Sequence, residues 1–425
     1  MRGSGIIVRH RKGGAISLAC SVGLLVAACG SSSTPATSSG GSSGSNTVPN
    51  VTVSSFTVDL ATVMAQFKPL TQFATKGSQK LLVGVIMPDT TSSTRYVDFD
   101  APYLKTAFTA AGYSPSQFRI ENAQGSDSTM LDDATADINL GAKILIVDPI
   151  DNPTGIAVAQ LAASRGVTLL AYDRAIFQGH NYYVSFDNVL VGNLIGMGLE
   201  SCITAWNVTS PKIFTLDGGE DVETNSIAFA TGYNKTVWNI AAKSVPAGTT
   251  NSLGYTLVGE NYAPGWDNTK GGQIFQQEFT THRQINATIE ANDGLANAVI
   301  TDLKGAGVKP KTIPTTGQDA TAQGMANILQ GWQCGTVYKP IYKEAGDAVA
   351  LATILLAGDT PPSALVNATT VDPKDSTITE PASLSTPVWV TAANMESTVV
   401  SDGFDTATAI CAIAGATACS AAGIH

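Results

Sequence analysis

Residues able to hold a ligand recur in this sequence at one kind of position, directly after a short apolar run. They are Pro88-Asp89, Asp148-Pro149, Asp173-Arg174, Asp187-Asn188, Gly218-Gly219, Asn292-Asp293 and Gln318-Asp319. Carboxylates and amides supply hydrogen-bond acceptors, and amides and a guanidinium supply donors. Each Asp or Asn also suits a helix N-cap, and at any one position the two roles are equally good. Seven in corresponding positions favour a binding cleft.

Catalytic readings have less support. Carboxylates could pair as the acids of a glycosidase, and Gly40–Gly44 formally matches G-x-S-x-G. That match lies in a Ser/Gly tract with no preceding strand, so the strand–turn–helix context of a nucleophile elbow is missing. There is no complete P-loop and no Gly-rich fingerprint following a strand. The four histidines (His10, His180, His282, His425) are dispersed and no C-x-x-C occurs. No enzyme activity, metal site or cofactor is expected.

The elements that must position the polar pairs are legible from Lys80 onward. Apolar runs at Leu81–Met87, Phe118–Asn122, Lys143–Asp148, Thr168–Asp173, Tyr182–Asp187, Lys212–Asp217, Leu253–Gly259, Ala298–Thr301 and Lys311–Gly317 read as strands. Continuous strings such as Ile144-Leu145-Ile146-Val147 belong to parallel strands covered on both faces. Helical stretches lie between them, as at Asp127–Leu140 and Thr154–Ser164. This alternation implies βαβ units, and about 340 residues are too many for one such sheet, so two similar doubly wound α/β lobes follow. In open α/β sheets ligands bind beyond the carboxyl ends of the strands, where the polar pairs fall. Residues 49–79 precede this pattern, with Phe56, Leu60, Val63, Met64, Phe67, Leu70 and Phe73 near helical spacing; an amphipathic leader packed on the first lobe is expected.

Composition is consistent with a folded acidic protein. Of the 425 residues 44% are hydrophobic and 14% charged, and 24 Lys+Arg against 34 Asp+Glu give −10. Four of the cations lie in residues 1–12; removing that segment leaves 20 against 34, a net −14 that repels phosphate backbones and argues against nucleic acid. Residues 1–29 read as a signal: a basic start, an apolar run from Ala15 to Ala28 too short for a permanent span, then Val26-Ala27-Ala28-Cys29. Small residues before a cysteine resemble a lipobox, so Cys29 is the expected lipidation site, with ordinary signal cleavage as the alternative. Residues 30–48, rich in Ser, Gly and Thr, form a tether. Export permits disulfides: Cys411 with Cys419 is the expected pair, while Cys202 and Cys334 pair or serve as small buried hydrophobes.

The strings "LLAYDRAI", "YYVSFDNVLVG", "GWDNTKG", "ANDGLANAVI", "TGQDATAQGM", "TVYKPIYKEAGDAVA" and "LSTPVWVTAANMESTVVSDGF" carry a resemblance along nearly the whole body. The segment from Lys80 to about Ile410 is similar to the periplasmic sugar-binding proteins of the ribose/galactose type, and among them to the D-xylose-binding subgroup. The resemblance implies a type I periplasmic-binding-protein fold, two Rossmann-like lobes joined by three hinge strands. It divides the chain into an N-terminal lobe (80–188 and 339–372) and a C-terminal lobe (189–338 and 373–419). It implies a monomer that binds a monosaccharide, a xylose-like aldose, for the permease of an ABC importer and touches the membrane only through its lipid anchor.

Matched position by position, the resemblance implies sugar contacts for Arg95 and Tyr96 after the first strand, Asp173 and Arg174 in "AYDR", and Glu223 and Asn225 in "GGEDVETNS". It implies the same for Trp266 as an aromatic wall, Asn292, Asp319, and Lys339 at the hinge. A pyranose offers hydroxyls that donate and accept and C–H faces that pack on aromatic rings, which explains the mixture. Three departures bear on which sugar is bound: Tyr96 replaces the subgroup's tryptophan, Glu223 its aspartate, and Ala230 an arginine common among relatives. A chemotaxis or sensor-kinase receptor would use the same site. A sugar-responsive transcription regulator would need a basic helix-turn-helix where the export signal stands.

Overall fold

In the computed structural model, the described residues are 48–53, 55–73, 80–178, 181–219 and 223–425. The signal segment with Cys29, and the tether up to residue 47, lie outside the described residues. Among the described residues twelve strands follow one another: β1 (Val83–Met87), β2 (Phe118–Asn122), β3 (Ile144–Val147), β4 (Thr168–Tyr172), β5 (Tyr182–Phe186), β6 (Lys212–Gly218), β7 (Thr256–Ala263), β8 (Ala287–Glu290), β9 (Thr336–Tyr338), β10 (Ala368–Val371), β11 (Thr379–Ser385) and β12 (Val388–Val390).

They form a seven-stranded sheet in the order β10-β11-β5-β4-β3-β1-β2, a three-stranded sheet β7-β6-β8, and a two-stranded ribbon β12-β9. Within the two larger sheets every pairing is parallel except β10 with β11. Strand β3 is buried along its whole length, as a both-face-covered parallel strand must be. Helices start where a polar side chain caps them. Asp151 Oδ1 accepts from Thr154 N at 2.8 Å, Asp187 Oδ1 from Leu190 N at 2.9 Å, and Asn292 Oδ1 from Leu295 N at 2.9 Å. The chain passes between the two sheets three times: after β5, after β9 into the helix Ile341–Leu356, and from β11 to β12. This is the type I periplasmic-binding-protein architecture.

Three expectations need correction. Ala298–Thr301 is not a strand; it lies inside the helix Asp293–Gly305, and β8 precedes it. Lys311–Gly317 forms no strand, although Pro314 O accepts from Thr288 N at 2.9 Å and Gly317 O from Val337 N at 3.0 Å, so this stretch runs between β8 and β9. Strand β11 pairs in parallel with β5, so residues 379–385 belong to the first sheet and not to the second lobe.

The leader does pack on the first lobe. Its helix spans only Leu60–Phe67, because Pro69 follows; Phe56 stacks on Phe67 at 4.5 Å, and both join the core of β1, β3 and β4. At the other end, the helices Ala407–Ala414 and Ala416–Ala422 are joined by the disulfide Cys411–Cys419. This tail packs on the helix Ala322–Leu329, where Gln330 Nε2 donates to Ile413 O at 3.2 Å. Phe404 stacks on Phe99 of the first lobe at 4.3 Å.

A second disulfide, Cys202–Cys334, ties the helix Asn188–Ala205 to the residues just before β9. Beside it the Trp389 indole of β12 lies against Gly198 and Gly335, where an added Cβ would come within 2.2 and 2.4 Å of the ring. Only glycine permits that approach on both sides. The β9–β12 ribbon is thus fastened to the second lobe both covalently and by packing.

Candidate functional site

The strand ends of both lobes converge on one pocket. The loop after β1 brings Ser92, Ser93, Arg95 and Tyr96, and β4 ends in Asp173 and Arg174. From the second lobe come Asn225 and Phe229 on the helix Thr224–Trp238, Trp266 after β7, Asn292 after β8, and Gln318 with Asp319; Lys339 reaches in from the ribbon. Nine of the ten residues expected from the sequence line this pocket together.

Glu223 does not. Its two carboxylate oxygens accept from Asn225 N (3.0 Å) and Ser226 N (2.8 Å), capping the helix that carries Asn225. By capping this helix Glu223 positions Asn225. Ser92, Ser93 and Phe229 were not anticipated as contacts, and Gln318 only as one of the strand-end polar residues. Phe229 lies one helical turn beyond Asn225, a signal that spacing alone could have supplied.

The first-lobe half is organised by a buried guanidinium. Arg95 donates from Nε and Nη2 to Asp100 (2.9 and 2.8 Å), from Nη1 to Asp173 (2.6 Å) and from Nη2 to Glu344 (2.6 Å). Four of its five N–H groups are therefore spent on protein carboxylates, and its main task is to hold Asp173. Burial would push the Asp173 carboxyl up, but Arg95, Lys339 and Arg174 together hold it below the usual carboxylate range. Tyr96 donates to Asp173 Oδ2 at 3.3 Å and accepts from Arg174 Nη2 at 3.1 Å. Arg174 is aimed further by Pro149 O (3.0 Å) and Ile150 O (3.1 Å). Asp148, 3.8 Å from Arg174 Nε and fully buried, is pushed well up by burial.

Across the cleft, Trp266 adopts φ +59°, in a backbone region a large residue rarely enters. Its ring lies flat on β6, where a Cβ on Gly218 would come within 1.9 Å of the indole. Phe229 meets it edge-on at 6.3 Å. Lys339 Nζ pairs with Asp319 Oδ1 at 3.1 Å and lies 3.9 Å from Asp173 Oδ1, linking the two halves. Donors, acceptors and rings of this kind suit a small neutral molecule with many hydroxyls. Among the described residues no cluster of side chains could hold a metal ion.

A neutral acid lies beneath the second half. Glu290, at the end of β8, accepts from Thr316 N at 2.8 Å, while its other oxygen is buried without a partner; burial pushes it up to about 8. A carboxyl raised in the fold contributes stability below its ordinary value near 4.5, and this is lost as pH climbs through about 8. Urea midpoints should therefore fall from pH 5 to pH 8.5, and Glu290→Gln should reduce that fall. An unchanged slope in the variant would exclude Glu290 as its source.

Comparison with known proteins places these features in a wider set. A family model described as a periplasmic binding protein domain matches residues 83–360. The D-xylose-binding periplasmic protein of Escherichia coli is 30% identical over 292 residues, 67% of this chain and 80% of that one. The multiple sugar-binding periplasmic protein SbpA of Azospirillum brasilense is 29% identical, over 78% of this chain and 92% of that one. Among solved structures, a carbohydrate transporter solute-binding protein from Chloroflexus aurantiacus in complex with D-glucose superposes with a TM-score of 0.64 at 24% identity, covering 78% of this chain and 98% of that one.

Proposed function

The chain belongs to the periplasmic binding protein family, and from that premise we propose that it is an extracytoplasmic solute-binding protein of an ABC sugar importer, closing on one monosaccharide, D-xylose or a similar aldose. The observation that carries this reading is the inner pocket to which both lobes and the β9–β12 ribbon contribute. A ligand that touches both lobes only when they are together binds the closed form better. It therefore shifts the population toward the closed shape, which the permease recognises.

The chemistry suits a pyranose. Asp173 and Asp319 accept from hydroxyls, Arg174, Lys339 and Asn225 donate, and Trp266 with Tyr96 packs on the C–H faces. Charge-assisted hydrogen bonds are worth ~1.5–3 kcal/mol each, so a few of them suffice for the roughly −8 kcal/mol of a micromolar complex. Binding rather than catalysis is the reading, and the protein acts as a monomer. Cys29 carries the lipid and residues 30–48 hold the folded part off the membrane; the support is the Val26-Ala27-Ala28-Cys29 signal and the Ser/Gly tract behind it.

A thermal-shift panel on the chain from Thr47 tests this with D-xylose, D-glucose, D-galactose, L-arabinose, D-ribose and D-fructose. A ligand at 100 times its Kd adds ~2.7 kcal/mol, a shift of several degrees. One strong responder identifies the sugar. Silence across the whole panel would overturn the sugar class while leaving the fold intact.

A further inference from the structure

The cleft does not end at the inner pocket. A second space, open on its outer side, adjoins it and shares Ser92, Ser93, Asn292 and Asp319 as a common boundary. Its two sides differ in chemistry. The second lobe lines it with the amides of Asn268, Asn297 and Gln323, and Asn268 Oδ1 is buried without a hydrogen-bond partner in the protein. The other side carries two apolar side chains, Phe99 of the first lobe and Ile413 of the tail, beside the hydroxyls of Thr91, Ser92, Ser93 and Thr94.

These walls are held in place. Phe99 is stacked against Phe404, and the segment bearing Ile413 is closed by Cys411–Cys419 and bonded through Ile413 O to Gln330. Amides and hydroxyls can meet the hydroxyl edges of a sugar ring while Phe99 and Ile413 pack on its C–H face. Asp98 and Asp405 also border the space, and their negative charge disfavours a phosphate or carboxylate on whatever enters.

We propose that this outer compartment is a second sugar subsite, so that the protein binds neutral disaccharides as well as single rings, one ring in the inner pocket and the next between Phe99–Ile413 and the amides. The proposal rests on the sugar-binding reading above and extends it from a monosaccharide to a neutral disaccharide. It assigns to the C-terminal tail a part in choosing ligand length.

Calorimetric titration of the mature protein tests it, using the monosaccharide identified by the panel and neutral disaccharides that carry this sugar at one end. At least one disaccharide should bind within roughly tenfold of the monosaccharide, and Ala322→Trp, which fills the outer space, should weaken it by roughly tenfold or more. The same variant should leave the monosaccharide within about twofold, as nothing in the inner pocket changes. Should Ala322→Trp not fold, Ile413→Asp at the exposed tail surface reads the same contrast. Monosaccharide binding with no disaccharide binding would overturn the subsite alone, as would a variant that weakens both ligands equally. Failure of both ligands would overturn the sugar reading, and the subsite with it.

Discussion

Replacing Arg95 by Met should lower the free energy of unfolding by about 3–5 kcal/mol, the cost of breaking a buried charge network from one side, and should abolish tight ligand binding. Arg95 is 3% exposed and serves three acids that are themselves buried, Asp100, Asp173 and Glu344. Methionine fills much of the same volume but offers no proton, so the three carboxyls are left facing one another. Tyr172 still donates to Asp100 at 2.6 Å, and Lys339 remains 3.9 Å from Asp173, too little to replace four hydrogen bonds. Burial already pushes Glu344 up to about 8, above its ordinary value, and the variant removes the guanidinium that opposes this rise. Stability then drains away as pH rises above that ordinary value, so the deficit should be larger at pH 8 than at pH 5. Urea titrations of both proteins at the two pH values are the check. A loss below about 1 kcal/mol, the scale of a surface ion pair, would mean that the network carries little of the fold.

The second large effect concerns affinity. Trp266→Ala should weaken sugar binding by roughly 30- to 700-fold, the ~2–4 kcal/mol of an aromatic hot spot, while Trp266→Phe should recover much of it. The indole covers the second-lobe side of the pocket and is fixed by its backbone angle and by the bare surface of Gly218. Trp266 also packs in the second-lobe core, so the Ala variant will be less stable by about 3–5 kcal/mol. Titrations should therefore follow a folding check by circular dichroism. Near-normal affinity in a folded Ala variant would remove Trp266 from the site. Asp319→Ala provides an independent probe: it takes away a pocket acceptor and leaves Lys339 without its 3.1 Å partner.

The centre of the first lobe was readable because β1 and β3 are buried along their whole length and stand out as apolar runs. The half-buried edge strand Phe118–Asn122 and the helix Asp127–Leu140 also coincide with the expected elements. The second lobe hides its signals. Strand β8 is Ala-Thr-Ile-Glu, with a buried acid that burial keeps neutral, so it does not look like a core strand. Ala296, Val299, Ile300 and Leu303 carry helical spacing, and a window limited to Ala298–Thr301 misses it. The pairing of β11 with β5 and the bond between Cys202 and Cys334 join residues nearly 200 and 132 positions apart, and no local pattern encodes either. Asp173, Arg174, Asn292 and Asp319 were legible because each follows an apolar run, whereas Arg95, Tyr96, Asn225, Trp266 and Lys339 came only from the resemblance. Glu223 came from it as well, but it sits where a helix begins, and capping took both of its oxygens.

The fastening of the β9–β12 ribbon has a mechanical consequence. With Cys202–Cys334 on one side and Trp389 clamped between two glycines on the other, the ribbon and the second lobe must travel as one rigid arm. The pivot is thereby confined to the short stretches where that arm meets the first sheet: Asp187-Asn188, Lys339-Pro340 and Thr386-Pro387. Two of the three contain proline, which narrows the backbone angles available for bending. Lys339 sits on the pivot itself, bound to Asp319 of the arm and within reach of Asp173 of the other lobe. A swing of the arm would carry this ammonium toward or away from Asp173, making it an electrostatic latch whose engagement reports the angle between the lobes.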